Sequence, residues 1–309
     1  MSGRVLVLGA GGMLGHKLVQ VFAEDGGWEV HATVRRDPPP APFAPAGVAY
    51  HRGVELGTAD GIARVLDHVA PDVVLNAVGA IKQRDLGSAV DGTYFINGTL
   101  PHLAALLSPG ACRVVHFSTD CVFQGDRGMY TEAERPDAED LYGRSKAVGE
   151  IDYGHHLTLR TSIVGWELGT HLGLLSWMMQ QPEGSTLNGF HRAIYGGLPT
   201  ITLGRTVLAL LRDHPELRGL YHVASEPIDK LSLLRRVSEA LGVEHTFVPS
   251  DAVVMDRSLD DTRFREATGT ARPGWDVLVD DLARDFASLP YHEIYGVRPG
   301  PARAIATNP

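Results

Sequence analysis

The hydrophobic pattern along the chain switches repeatedly between a strand period and a helix period. Residues 4–8 form a short apolar run that reads as a buried strand, and residues 16–22 place apolar side chains at helical spacing. Residues 28–34 give a second strand and 51–56 a third. Residues 58–69 then read as a helix with Ile62, Val65, Leu66 and Val69 on one face. Residues 72–79 supply a fourth strand and its exit. Asn97 opens an apolar helix through Leu100, Leu103, Ala104 and Leu107. Val114 begins a β-branched run that ends in Ser118-Thr119-Asp120. A helix capped by Asp140 opens at Leu141, and residues 157–165 give a sixth strand. Strand and helix in alternation predict the α/β class, with a Rossmann-type doubly wound parallel sheet.

Beyond Gly165 the pattern loosens. It predicts helices at 174–179, 202–212, 231–241 and 277–286, the last of the chain. It also predicts a turn-rich loop at 187–192, and a short strand at 219–223 that rejoins the sheet. This organisation suggests a dinucleotide-binding domain over 1–165, with 193–226 rejoining it. Residues 166–192 and 227–309 would form a small discontinuous α/β substrate domain. Pro38 to Pro45 reads as a mobile proline-rich surface loop, and the stretch from Arg298 as a loose tail.

Composition narrows the class without naming it. The 309 residues suffice for a full core, and 44% apolar with 21% charged is ordinary for a globular protein. A net charge of −9 argues against a nucleic-acid or anionic-membrane surface. No apolar run approaches the roughly 20 residues of a membrane span, and Met1-Ser2-Gly3-Arg4 does not resemble a signal peptide. Cys112 and Cys121 flank one predicted strand, too far apart to bridge, which fits a reducing cytoplasm. The fourteen histidines show no ligand spacing, so no metal site is expected.

Candidate chemistry begins at the first turn. Gly9-x-x-Gly12-x-x-Gly15 lies between a strand and a helix, the context in which a glycine pattern reads as a dinucleotide site. Gly9 allows the tight turn, Gly12 lets the backbone approach a pyrophosphate, and Gly15 lets helix and strand pack. Met13 and Leu14 complete a helix N-terminus that offers N–H donors. The second strand ends in Arg35-Arg36, where NAD-specific sites often place an acid. Two guanidinium groups suit a ribose 2′-phosphate and favour NADP(H), with NAD(H) still compatible; the alternative is a solvated basic turn. Asn76, Ala77, Val78 and Gly79 leave the fourth strand toward the nicotinamide side. Lys82-Gln83-Arg84-Asp85 follows and either faces substrate or is solvated.

The stretch from Val114 to Lys146 carries the reaction chemistry. Thr119 and Asp120 stand at a strand's C-terminal end, where open α/β sheets bind ligands. Tyr142 and Lys146 are four apart and share a helix face. Hydride reduction of a carbonyl needs a hydrogen-bond donor on the oxygen and then a proton. Thr119 can be the donor and Tyr142 the acid, with the Lys146 ammonium expected to draw the phenol's pKa toward neutrality. Asn97 is either a helix cap or a residue that orders water near the site.

These residues resemble a known family. Gly9-x-x-Gly12-x-x-Gly15, Asn76-Ala-Val-Gly79, Ser118-Thr119-Asp120 and Tyr142-x-x-x-Lys146 resemble the extended short-chain dehydrogenase/reductases. Phe117-Ser118-Thr119-Asp120-Cys121-Val122-Phe123-Gln124-Gly125 and Asp256-Arg257-Ser258-Leu259-Asp260 look like the dTDP-4-dehydrorhamnose reductase group. The resemblance runs to about Phe286. It implies a nicotinamide cofactor, contacted also by Asn97, Ser118, Tyr142 and Lys146. It implies a nucleoside-diphosphate sugar near Lys82, Thr119, Asp120, Asn188 and Arg257, Thr119, Tyr142 and Lys146 as the catalytic set, and a homodimer. The implied activity is NADPH-dependent reduction of a 4-keto-6-deoxy sugar. The third strand lacks the acid the family places near adenine, with Glu55 and Asp60 as substitutes, and the loops at 82–85 and 188–190 differ from the rhamnose enzyme. The alternatives are an epimerase or dehydratase with retained NAD, and a non-catalytic cofactor-binding subunit such as the regulatory subunit of methionine adenosyltransferase.

Overall fold

Seven parallel strands form the centre of the molecule. They are β1 (Gly3–Leu8), β2 (Trp28–Val34), β3 (Ala49–Arg52), β4 (Val73–Asn76), β5 (Arg113–Thr119), β6 (Leu157–Thr161) and β11 (Gly219–His222). Their order across the sheet is β11-β6-β5-β4-β1-β2-β3. A computed structural model supplies the coordinates and describes residues 3–81 and 89–296. The order of strands reverses between β1 and β4, the crevice where doubly wound sheets hold ligands.

Residue alternation along the strands builds both faces. In β1, Val5 and Val7 point into a core shared with α1 (Met13–Asp25), while Leu6 and Leu8 point into one shared with α2 (Ala59–Val69). Every residue of β5 is buried, as expected of a strand covered on both sides. On the α1 side lie α7 (Thr200–Asp213) and α10 (Trp275–Ser288); α4 (Leu100–Leu107) lies on the other.

Several expected boundaries move, each for a local reason. The third strand is 49–52 rather than 51–56, because Gly53 turns left-handed (φ 64°) and ends it. The sixth strand breaks at Ser162. Its continuation, β7 (Ile163–Val164), leaves the central sheet and pairs with β10 (Leu198–Pro199). Residues 186–190 form a strand, β8 (Thr186–Phe190), not a loop. It pairs in parallel with β13 (Thr246–Ser250) while Gly189 packs against Leu231. That partner lies far along the chain, so local turn residues masked the strand. Leu231 belongs to α8 (Lys230–Leu241). A third small sheet joins β9 (Ala193–Tyr195) to β12 (Ile228–Asp229) and β14 (Met255–Asp256).

The proline-rich stretch is anchored rather than loose, since Phe43 is buried with its ring 5.0 Å from that of Tyr291. Tyr291 belongs to α11 (Tyr291–Tyr295), which follows α10, so 277–286 is not the last helix. Lys17 of α1 is wholly buried and pairs with Asp285 of α10 at 2.5 Å. The neighbouring His16 accepts at Nε2 from the Tyr291 hydroxyl at 2.7 Å and donates from Nδ1 to the Gly12 carbonyl at 2.8 Å. The chain's last described helices therefore grip its first. The tail from Arg298 and the loop Lys82-Gln83-Arg84-Asp85 lie outside the described residues. No described helix is long and apolar enough to cross a membrane.

Candidate active site

The glycine turn takes the shape its spacing suggested. Gly9 sits at φ 85°, and its N–H donates to Thr33 Oγ1 at 3.0 Å. A Cβ on Gly15 would overlap the Gly9 carbonyl, so α1 can lie against the turn only without a side chain there. A Cβ on Gly11 would meet nothing within 4 Å, and one on Gly12 only the Gly9 oxygen at 3.4 Å. The space over these two residues is open. The first turn of α1 carries no acidic residue and no side-chain cap, so Met13, Leu14 and Gly15 present N–H groups and a positive helix end toward it. This cradle fits a pyrophosphate. Arg35 and Arg36 stand exposed just past β2, without a hydrogen bond or ion pair among the described residues.

Two asparagines shape the exit of β4. Asn76 is buried; its Oδ1 accepts from the Val78 N–H at 3.2 Å and its amide donates to His116 Nδ1 at 3.1 Å. Asn97 is neither a cap nor a helix start. It lies inside one long helical run, in a π turn (Phe95–Thr99) between α3 (Val90–Tyr94) and α4. The widened turn brings its amide onto both backbone groups of Ala80, accepting from the N–H at 2.8 Å and donating to the carbonyl at 3.0 Å. The same amide donates to Ser145 Oγ at 3.0 Å, and Ser145 donates to the Tyr142 carbonyl at 2.9 Å. Gly149 carries no side chain where the Asn97 carbonyl touches it. That lets α5 (Leu141–Val148) press close, and the expected Asp140 cap is present, accepting from Gly143 N at 2.9 Å.

The catalytic candidates meet where β5 ends. Thr119 Oγ1 donates to Asp120 Oδ1 at 3.1 Å and accepts from the Cys121 N–H at 3.1 Å. Tyr142 reaches the same hydroxyl. Burial, then the neighbouring Cys121, pushes its phenol well above the usual value, with the Thr119 hydrogen bond acting the other way. This corrects the expectation that Lys146 draws the phenol toward neutrality. The lysine Nζ is turned into the protein, donating to the Phe117 carbonyl at 2.6 Å and lying 3.4 Å from His116 Nε2. Burial draws Lys146 itself down to about 8, with Glu150 acting upward. Asp120 is raised by burial, which Arg257 and hydrogen bonds from Thr119, Cys121 and Ser162 oppose.

The remaining candidates scatter. Arg257 does stand at the site, with Nε donating to the Phe123 carbonyl at 2.9 Å and one terminal nitrogen 3.4 Å from Cys121 Sγ. Ser118 faces away from Thr119, by strand alternation, and donates to Glu150 at 2.6 Å beside the buried Glu150–Arg160 pair. Asn188 is exposed on β8, where it lines a cavity of about 500 Å³ with Trp177, Phe190 and Lys230. Lys82 lies outside the described residues. Ser162, and Tyr195 buried beside Asp120, join the site without having been singled out. Ser162 lies at the strand break and Tyr195 on a strand paired over long range, so neither carried a local signal.

The model of the RmlD substrate binding domain matches residues 3–253. The chain belongs to this family. Similar proteins include the probable low-salt glycan biosynthesis reductase Agl14 of Haloferax volcanii, 27% identical over 297 residues, or 90% of this chain and 95% of that one. A dTDP-4-dehydrorhamnose reductase of Aggregatibacter actinomycetemcomitans is 28% identical over 237 residues, 72% of this chain and 74% of that one. The solved dTDP-4-dehydrorhamnose reductase of Bacillus anthracis, in complex with NADP, superposes with a TM-score of 0.74 at 18% identity, covering 92% of this chain and 100% of that one. At that identity the likeness speaks to the fold. The resemblance read from the sequence holds. The expectations of a reductase and of a nicotinamide cofactor agree with these relatives, all three named as reductases and one solved with NADP.

Proposed function

We propose that the protein is an NADPH-dependent reductase of a nucleoside-diphosphate 4-keto-6-deoxy sugar. The observation that carries this reading is the meeting of the Thr119 and Tyr142 hydroxyls at the C-terminal end of β5, with Tyr142 kept as a phenol by burial. When bound, NADPH supplies the hydride that reduces the keto carbon. Met13, Leu14 and Gly15 would hold its pyrophosphate, and Arg35 and Arg36 its 2′-phosphate. The Thr119 hydroxyl, freed from Asp120, would donate to the substrate's carbonyl oxygen. Tyr142 would give that oxygen its proton as the carbonyl π pair becomes the new O–H bond. A group held above its usual pKa is protonated at neutral pH, so no depression by Lys146 is needed before substrate arrives.

Residues 166–192 and 227–296 would hold the nucleotide end of the substrate, between Asn188 and Arg257. Cytoplasmic residence and a homodimer belong to the same proposal. Leu106 (71% exposed) and Val148 (57%) lie on the touching helices α4 and α5, an apolar face that a second copy would cover.

The test is oxidation of NADPH with dTDP-4-keto-6-deoxyglucose, with and without an added 3,5-epimerase. Turnover is expected, and Tyr142→Phe should lower kcat by about 10²- to 10⁴-fold. Retention of most turnover by that variant would remove Tyr142 as the acid. Protein that purifies with stoichiometric bound NAD, and no net reduction, would favour an epimerase instead.

A further inference from the structure

His116 belongs to none of the roles assigned above, yet it is fully buried and lies in one hydrogen-bonded line with Asn76 and Lys146. The line has a direction. The Val78 N–H can only donate, so the Asn76 atom it meets at 3.2 Å is the carbonyl oxygen. The other end of that side chain is then the NH₂ group, which also can only donate, and it meets His116 Nδ1 at 3.1 Å. Nδ1 must therefore carry a lone pair. Burial, the Lys146 charge and His102 hold the imidazole well below its usual pKa, so the ring is neutral and its one proton sits on Nε2. Nε2 faces Lys146 Nζ at 3.4 Å. An ammonium is donor-only and meets that N–H head to head, whereas a neutral amine can accept it while still donating to the Phe117 carbonyl.

We infer that His116 is a positioning residue for Lys146: with its proton fixed on Nε2 by Asn76, it presents an N–H to the lysine nitrogen and holds that lysine ready to release a proton. This rests on the reductase reading above, in which Tyr142 gives up one proton per turnover. A lysine one helical turn away that exchanges protons near neutral pH is a source for that proton once its Nζ leaves the Phe117 carbonyl. An ordinary lysine, an ammonium up to about pH 10, releases a proton far less readily. The other charged and titratable groups around the pair are known. Glu150 favours the ammonium but is itself held by Arg160 and Ser118. His102 of α4, whose ring nitrogens meet the Tyr153 hydroxyl and the Val148 carbonyl, disfavours the His116 imidazolium, and Tyr142 shares α5 with the lysine.

The test reads tautomer and titration in the free protein. Nitrogen-15 NMR of the imidazoles should show His116 protonated on Nε2 and bare on Nδ1. A proton on Nδ1 would overturn the inference. The Lys146 titration is then followed by NMR in wild type, Asn76→Asp, His116→Phe and the double variant. A carboxylate at 76 accepts from Nδ1–H and so moves the proton off Nε2. Asn76→Asp should therefore raise the Lys146 titration by about one pH unit or more, a tenfold change in the ammonium-to-amine ratio. In the His116→Phe background the same substitution should do much less. An equal rise in both backgrounds would mean that the new charge acts on the lysine directly, and the inference would fall. If a variant does not fold, the wild-type tautomer still decides. None of these readouts needs substrate, so absent reductase turnover would count against the functional reading alone.

Discussion

Arg35 and Arg36 are the residues on which cofactor choice should turn. Both stand exposed just past β2, where a 2′-phosphate would take charge-assisted hydrogen bonds worth about 1.5–3 kcal/mol each. Replacing both with alanine should weaken NADPH binding by about tenfold or more and leave NADH binding nearly unchanged, as fluorescence titration with each cofactor would show. Equal losses for both cofactors would return the pair to the status of a solvated turn. At this scale much was legible. Gly9 turns and Gly15 packs as their spacing implied, because each acts within a few residues of the end of β1. The Lys146 effect was misjudged because the direction of a side chain depends on what fills the space around it. Phe117 and His116 offer the lysine partners that a Tyr-x-x-x-Lys spacing cannot display.

Asn97 shows the same limit at the scale of an element. Apolar periodicity marked its helix, but a π turn inserts one residue without disturbing that pattern much, so the residue read as a cap. The turn's purpose is visible only with β4 and α5 in place, since one amide serves Ala80 and Ser145 together. Asn97→Ala should leave the half-buried backbone groups of Ala80 unpaired and cost about 1–3 kcal/mol in urea unfolding. It should also raise the KM for NADPH more than it lowers kcat, because the clamp shapes the strand exit rather than donating a proton. A variant as stable as the parent with unchanged KM would show that Ala80 needs no clamp. The strand at 186–190 was missed for a related reason. Its partner lies at 246–250, and parallel pairing over that distance leaves no turn signature between the two.

For the molecule as a whole, buried histidines set the acid limit. His16 and His222 are held down at about 3 by burial, reinforced by Lys17 and Arg160 respectively, and His116 lies well below 6.5. Below about pH 6.5 the unfolded chain takes up protons at these positions and the folded chain does not. Stability is therefore full above that pH and falls as pH drops toward 3, by up to about 1.4 kcal/mol per pH unit for each histidine. Urea midpoints at about pH 7 and about pH 5 should differ accordingly; equal midpoints would mean that these rings titrate normally. The Lys17–Asp285 pair adds a second global constraint. Removing one partner strands a buried charge, so Asp285→Ala should cost about 3–5 kcal/mol, read by the same unfolding curves. The two residues are 268 apart in sequence, and His16 and Tyr291 are 275 apart. During synthesis, then, α1 leaves the ribosome long before Asp285 is made and its buried lysine finds a counter-charge. Nascent chains stalled before Asp285 should stay protease-sensitive in the α1 region even though every strand of the sheet has already been made.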